Sequence, residues 1–418
     1  MRSGVTLGSS ARTGVVLFHE LSRVGRPCSF PRVSQLILND LAPEPLTRAL
    51  AERCGASPTE IPKLFSAIHG PKGALALGAE VGALANTRAV RRTVLDALER
   101  AGEVRRLKSL GSATSERDGF RRYLFETADG QRVEAVRIPL PCDVYGTVPP
   151  QRLVTRPHYV VCVSSQVGCA LGCAFCATGK LGFGRNLATW EIVEQVRLIR
   201  ADAATEGTRP IRGVVFMGMG EPFLNYDRVM AAAQIFSAPA CYAISADRIT
   251  VSTAGVVPGI RRFTEEARPY RLAVSLTAAT SEKRRKVMPI EATWPLDELM
   301  AAVRDYQRLR GGRAMLAWVA IDGFNTGADD AAELAALTKG LPIRLDLIEV
   351  ADPDGEFRPP SEEGLSQFRS NLAILGQPVV RRYSGGRDIR AGCGMLAASP
   401  LELKDAGDPQ LSGRATSL

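Results

Sequence analysis

Histidine is scarce in this chain. His19, His69 and His158 are the three in 418 residues, and none stands at a spacing that pairs it with a second ligand, so a histidine-based zinc site lacks its usual donors. No apolar run approaches the roughly 18 residues that cross a bilayer, which predicts a soluble chain with no membrane partner. Acidic residues are missing from the first nineteen, where Arg2 and Arg12 stand; the apolar stretch at 14–18 is too short for a secretory signal. Residues 1–30 therefore read as a disordered extension or as the product of a start codon placed too early. A disulfide framework is also lacking. The nine cysteines are odd in number, and Cys28, Cys54, Cys142 and Cys241 have no partner at an informative spacing, so a reducing cytoplasm is expected.

What is present begins with charge and size. Lys and Arg number 53 against 44 Asp and Glu, a formal net charge of +9, which favours a polyanionic partner such as nucleic acid. With 45% hydrophobic residues the chain can bury a large core, and its length suits a catalytic domain plus a smaller accessory one.

The most distinctive stretch is 161–185. Cys169, Cys173 and Cys176 form a C-x3-C-x2-C array among Gly168, Gly172, Gly179, Gly182 and Gly184, with Cys162 upstream. Three thiolates so close in sequence can converge on one soft metal centre. They fall one ligand short of a closed tetrahedral zinc site, whereas a four-iron cluster held by three thiolates keeps one iron open to a substrate or cofactor.

The array sits in an ordered pattern. Residues 35–102 read as helical, with Pro62 placed to start a helix carrying Leu64, Phe65 and Ile68, and a third helix over 88–100 ending at Gly102 in a C′ position. Arg91, Arg92, Arg105, Arg106 and Lys108 form a basic run that either touches RNA or is a solvated face. Strand-like runs at 120–125 and 132–138, joined by Thr127-Ala128-Asp129-Gly130, predict a hairpin carrying Glu134. Residues 139–157 hold five prolines and read as a linker. Beyond them, apolar runs at 159–164, 213–217, 248–252, 271–276, 315–321 and 344–350 alternate with amphipathic helical segments. Six βα units in tandem predict an α/β fold, a parallel (βα)6 partial barrel with its chemistry at the strands' C-terminal ends. The domains expected are 31–138 accessory, 158–398 catalytic and 399–418 a tail.

Met217-Gly218-Met219-Gly220-Glu221-Pro222 follows the second of these strands; its glycines let the backbone approach a ligand, and Glu221 can accept hydrogen bonds from an ammonium group. With the cysteine array, this pattern resembles the radical S-adenosylmethionine superfamily. The strings from Cys162, Gly218, Val251 (Val-Ser-Thr-Ala-Gly-Val-Val-Pro) and Asp388 (Asp-Ile-Arg-Ala-Gly-Cys-Gly) resemble the RlmN/Cfr family of adenine-methylating RNA methyltransferases.

That resemblance implies a [4Fe-4S] cluster on Cys169, Cys173 and Cys176, and S-adenosylmethionine held by Gly220, Glu221, Ser252, Ser275, Leu276 and Thr277. It implies Cys393 as the methyl-accepting thiol, Cys162 as its disulfide partner and Glu134 as general base. It further implies ribosomal or transfer RNA as substrate, carbon 2 of adenine as target, a flavodoxin or ferredoxin as electron donor, and a monomeric enzyme. Departures from the family pattern are Thr277 where histidine is usual, Glu349-Val350-Ala351-Asp352-Pro353 for Pro-Trp-Asn-Pro, and Met395 for glutamine. Competing readings are a radical enzyme of the same build acting on a peptide or small molecule, and a zinc-stabilised RNA-binding protein, which anaerobic purification would reveal as colourless and zinc-containing.

Overall fold

A computed structural model describes residues 35–75, 78–140, 158–207, 210–352 and 355–399. The extension expected over residues 1–30, most of the 139–157 connection and nearly all of the 399–418 tail lie outside these residues. Among the described residues no helix is long and apolar enough to cross a membrane.

Near the start, β1 (Leu36–Ile37) pairs in parallel with β2 (Gly102–Glu103), bracketing α1 (Pro43–Cys54), α2 (Ile61–His69) and α3 (Arg92–Ala101). Leu46 and Leu50, Leu64 and Ile68, and Val94 and Leu98 form their shared core. The third helix begins four residues later than its periodicity suggests, because Glu60 captures Arg91: the Arg91 backbone N–H donates to Oε1 at 2.8 Å and its guanidinium to Oε2 at 2.9 Å, on extended backbone. Gly102 is not a left-handed C′ residue; its φ is −87°, and a Cβ there would meet the Leu98 carbonyl oxygen at 2.7 Å. Close packing, not a turn, requires glycine. The basic run is neutralised within the protein. Arg92 pairs with Asp96, Arg105 with Glu103, Arg106 with Glu194 and Lys108 with Glu126, all at 2.8 to 3.0 Å.

Next comes an antiparallel meander of β3 (Lys108–Thr114), β4 (Arg121–Glu126) and β5 (Arg132–Leu140). The β4–β5 hairpin turns at Gly130, φ 77°. Periodicity alone does not reveal β3, whose half-exposed Ser and Gly residues carry a register shift. Pro139 and Leu140, expected in the linker, end β5 opposite Tyr159 and His158. Proline is tolerated there because β4 has already stopped opposite Arg137, so no ladder bond is asked of it on that side.

β5 then pairs antiparallel with β6 (His158–Cys162), and this joins the meander to the parallel strands. A short antiparallel pair, β7 (Gln166–Gly168) and β8 (Phe183–Asn186), flanks the cysteine array and α4 (Ala177–Lys180). After it α5 (Thr189–Thr205), β9 (Ile211–Phe216), α6 (Tyr226–Ser237), β10 (Ile249–Thr253), α7 (Val257–Glu265) and β11 (Arg271–Ser275) alternate. They continue with α8 (Ser281–Val287), α9 (Leu296–Arg310), β12 (Ala314–Ala320), α10 (Ala328–Leu337), β13 (Ile343–Glu349), α11 (Glu362–Asn371) and β14 (Val379–Arg381). The sheet has ten strands in the order β14-β13-β12-β11-β10-β9-β6-β5-β4-β3. Its parallel part is the expected α/β partial barrel, extended by β14, a seventh strand too short and too exposed to stand out by apolar content.

Residues such as Val214, Val251, Leu345 and Leu347 are fully buried, as expected for parallel strands covered by helices. Other strand residues, among them Val136, Cys162, Val215, Thr250 and Met315, line a cavity of about 770 Å³. The cysteine array leaves the C-terminal end of the first parallel strand, which puts it at the catalytic face of such sheets.

Candidate active site

The cysteine loop is held from three directions. Beneath it, Ser164 is fixed by reciprocal bonds with the Gln195 amide (2.8 and 3.0 Å), donates its hydroxyl to the Glu134 carbonyl at 2.5 Å and accepts from the Met219 N–H at 2.9 Å. Alongside, the Cys169 N–H donates to the Gly182 carbonyl at 2.8 Å. Gly168 is left-handed, φ 69°, and a Cβ there would lie 1.9 Å from that same oxygen. Above, Ala177 N–H donates to the Gly394 carbonyl at 2.8 Å and the Thr178 hydroxyl to the Leu396 carbonyl. The loop that carries three thiols is thus tied to the loop that carries a fourth.

Cys169, Cys173 and Cys176 are partly exposed. Burial pushes the Cys169 thiol up to about 12 and raises the other two, and each is raised further by a neighbouring thiol. Among the described residues no three ligand-type side chains stand close enough to share a single ion. A cuboidal iron-sulfur cluster spreads its ligands over separate corners, and the all-thiolate donor set suits it. Glu221 is close enough to raise Cys169 and Cys173 electrostatically.

Glu221 is buried and its carboxyl is pushed up to about 7 by that burial, against hydrogen bonds from Ala254, Phe223 and Thr253. Its Oε1 accepts from Phe223 N–H at 3.0 Å and its Oε2 from Ala254 N–H at 2.8 Å, so it braces two loops. Its own N–H donates to the Gln166 side chain at 2.8 Å. Gly218 and Gly220 are needed for closeness: a Cβ would meet Val163 O at 2.7 Å and the Gln166 Cβ at 2.6 Å. Ser252 and Ser275 are half-buried on neighbouring strands β10 and β11. Leu276 is buried and bonds its N–H to Ala317 O at 2.8 Å. Thr277 is fully buried in the left-handed region, φ 61°, an outlier for a β-branched residue, and its hydroxyl has no partner. A buried hydroxyl without a protein partner is a group that a polar cofactor such as S-adenosylmethionine can satisfy.

On the cavity side, Cys162 ends β6 and lines the same cavity as Cys176 and Cys393. Burial pushes the Cys162 thiol up to about 12; Cys393 raises it further and Arg382 works against the rise. Cys393 is exposed, and its N–H donates to the Ser384 hydroxyl at 2.7 Å. Arg381 pairs with Glu349 at 2.6 Å and Glu362 at 2.7 Å, Arg387 with Glu349 at 3.5 Å and Arg382 with Asp346 at 3.8 Å. Of these neighbouring arginines, Arg390 has no acidic partner among the described residues and is exposed.

Glu134 is fully buried at the catalytic end of β5, next to the Val136–Cys162 register pair. Arg122 donates to its Oε1 at 3.0 Å and Ala397 N–H to its Oε2 at 3.0 Å. Sequence reasoning passes over Arg122, Ser164, Gln166 and Gln195. For Arg122 a signal existed: the Asp-Gly turn sets the hairpin register, with Leu124 opposite Glu134 and Arg122 opposite Val136, so two opposite charges share one inward face.

Comparison with known proteins separates class from family. Residues 163–335 match the Radical SAM superfamily, and a crystal structure of a radical SAM methyltransferase from Sphaerobacter thermophilus superposes with a TM-score of 0.74 at 34% identity, covering 87% of this chain and 100% of that one. The class is therefore a radical S-adenosylmethionine enzyme. A probable RNA methyltransferase from Anaeromyxobacter sp. (strain Fw109-5) is 51% identical over 357 residues, 84% of this chain and 97% of its own. The same strain has a dual-specificity RNA methyltransferase RlmN that is 38% identical over 323 residues, 76% of this chain and 78% of its own. The chain belongs to the RlmN/Cfr family of radical S-adenosylmethionine RNA methyltransferases.

Proposed function

We propose that this enzyme methylates an adenine ring carbon, carbon 2, in ribosomal RNA, transfer RNA or both, through an S-methylcysteine on Cys393. The observation that carries the reading is the convergence of Cys162, Cys176 and Cys393 on one cavity, with the cysteine loop hydrogen-bonded to the Cys393 loop. Cys169, Cys173 and Cys176 would hold the [4Fe-4S] cluster, and Gly220, Glu221, Ser252, Ser275, Leu276 and Thr277 would line S-adenosylmethionine. When bound, these groups supply a methyl group and a 5′-deoxyadenosyl radical.

The protein's own residues do the rest. Cys393 thiolate accepts the methyl group and carries it, as a carbon radical after hydrogen removal, to an electron-poor ring carbon that ordinary displacement cannot methylate. Glu134 takes the ring proton, and the one unpaired electron of the adduct would pass to the oxidised cluster, which leaves a closed-shell thioether between Cys393 and the ring. Cys162 attacks the Cys393 sulfur: a disulfide forms, the sulfur–carbon bond breaks, and the RNA-bound carbon keeps the electron pair and gains a proton to become methyl. An electron donor of the flavodoxin or ferredoxin class completes the system, and the enzyme works as a cytoplasmic monomer. Residues 31–138 form its accessory domain and 158–398 its catalytic one; the β5–β6 ladder supports their acting as one body.

The chain is more similar to the probable RNA methyltransferase than to the RlmN of the same strain. Together with Thr277, Asp352 and Met395, this supports a target nucleotide different from that of the RlmN-named enzyme. Anaerobic reconstitution with labelled S-adenosylmethionine and total RNA, followed by nucleoside mass spectrometry, tests the reading. Label in methyladenosine that is lost in Cys393→Ala is expected. Label in a peptide or small molecule, with none in RNA, would overturn it.

A further inference from the structure

The face of the hairpin turned toward the cavity carries Arg122 and Leu124 from β4 and Glu134, Val136, Ile138 and Leu140 from β5. An ion pair in that position is unusual. Arg122 and Glu134 are 3% and 0% exposed, and removing two charges from water is costly enough that hydrophobic residues of similar volume would serve stability as well. What sets it apart from the equally buried Arg284–Glu291 pair is where it lies, against the Cys393 segment. The carboxyl is also covered from the catalytic side: Ala397 N–H donates to its second oxygen at 3.0 Å, and Arg122 Nη1 reaches both Glu134 Oε1 and the Ser399 hydroxyl, at 3.0 and 3.2 Å. Ala397 and Ser399 lie a few residues beyond Cys393, on the segment that Thr178 grips through Leu396.

We propose that Arg122 is a positioning residue for the methyl-transfer reaction: it holds the Glu134 carboxyl charged and aimed at the Cys393 segment, so that the base is in place when substrate arrives on that segment. The proposal rests on the reading of Glu134 as general base. Arg122 spans the base and the strand of chain that delivers the methyl group, and is the charged side chain bonded to both.

The groups facing the carboxyl are Arg122 from β4 and the backbone N–H groups of Ala397 and Ala398 from the C-terminal segment; Ser164, from the loop after β6, meets the Glu134 carbonyl and not its carboxyl. Burial pushes Glu134 up to about 6, and the Arg122 charge is the first influence opposing it. The sign follows directly. A base must be deprotonated, so activity falls as pH drops through the midpoint, and removing Arg122 leaves burial less opposed and moves that midpoint upward.

The test measures single-turnover formation of methyladenosine across about pH 5 to 9 in the reconstituted enzyme, in Arg122→Met, Arg122→Lys and Glu134→Gln. Methylation of Cys393, read by intact mass, reports in each whether fold and cofactor binding survive. In parallel, the infrared absorption of the buried protonated carboxyl, assigned by its loss in Glu134→Gln, is titrated without turnover. Arg122→Met is expected to shift both midpoints up by about 1 to 3 pH units, which lowers the rate at pH 7 by about 2- to 100-fold, while Arg122→Lys recovers most of the shift. An infrared band that titrates at the wild-type midpoint in Arg122→Met overturns the proposal. So does a shift in Arg122→Lys as large as that in Arg122→Met, because charge would then not be the cause. A Glu134→Gln enzyme that still forms methyladenosine at the wild-type rate removes the base reading itself, whatever the band does.

Discussion

Gly168→Ala is the sharpest perturbation of the cysteine loop. The new methyl group would lie 1.9 Å from the Gly182 carbonyl oxygen and 3.0 Å from its carbon, both backbone atoms with no rotamer to yield. The loop can accept it only by opening the β7–β8 pair, which breaks the Cys169 N–H bond to that oxygen. Left-handed backbone costs an alanine about 1 to 2 kcal/mol, and the lost hydrogen bond roughly another 1 kcal/mol. A local penalty of about 2 to 3 kcal/mol lowers the population of the closed loop by a factor of about 30 to 150. Gly182→Ala is the matched control: its φ is 75°, yet a Cβ there meets nothing within 4 Å, so it has the strain without the collision. Iron and sulfide per chain after anaerobic reconstitution, with the visible absorption of the cluster, are the assay. Gly168→Ala should retain a small fraction of wild-type iron and Gly182→Ala most of it. Equal iron in the two variants would refute the collision argument.

Three further outcomes are expected. Cys162→Ala should still load a methyl group on Cys393 but accumulate an RNA–protein adduct, visible as a nuclease-sensitive band on a denaturing gel; normal turnover would remove the release role of Cys162. Arg284 and Glu291 are both fully buried and paired at 2.6 Å. Arg284→Met alone leaves a buried carboxylate unpaired and should cost about 3 to 5 kcal/mol in urea unfolding, whereas adding Glu291→Met recovers most of that loss. Thr277→Val removes a hydroxyl that has no protein partner, so it should leave the thermal midpoint of the cofactor-free protein unchanged or slightly raised, and weaken equilibrium binding of S-adenosylmethionine by about tenfold if the hydroxyl bonds to it. Unchanged binding would show that this hydroxyl does not face the cofactor.

The parallel strands and the cysteine array were legible because each is a local signal. Buried parallel strands are continuous apolar runs, and clustered thiols stand out by spacing alone. What escaped depends on partners distant in sequence. Glu60 decides where α3 begins by capturing Arg91, thirty-one positions away. β3 is weakly patterned and exists through its ladder with β4. Arg122 reads as one more surface arginine until the hairpin register places it beside Glu134 and Ser399, 277 positions on, comes to accept its other hydrogen bond. Thr277 shows the same limit in backbone form. It is the centre of a three-residue turn closed by Ala278 N–H to Leu276 O at 2.7 Å, and Asn325, 48 positions on, donates its side chain to the Thr277 carbonyl at 2.7 Å; no glycine announces it.

The bonds from Ala177 to Gly394 and from Thr178 to Leu396 also set an order of assembly during synthesis. The cysteine array leaves the ribosome more than two hundred residues ahead of Cys393, and domains emerge and fold from the N-terminal side. Until residues 393–399 are made, the cysteine loop lacks its partners at Gly394 and Leu396, and Glu134 lacks the cover of Ala397. A chain that stops before this segment therefore lacks the contacts that tie down Ala177 and Thr178 and that cover the Glu134 carboxyl.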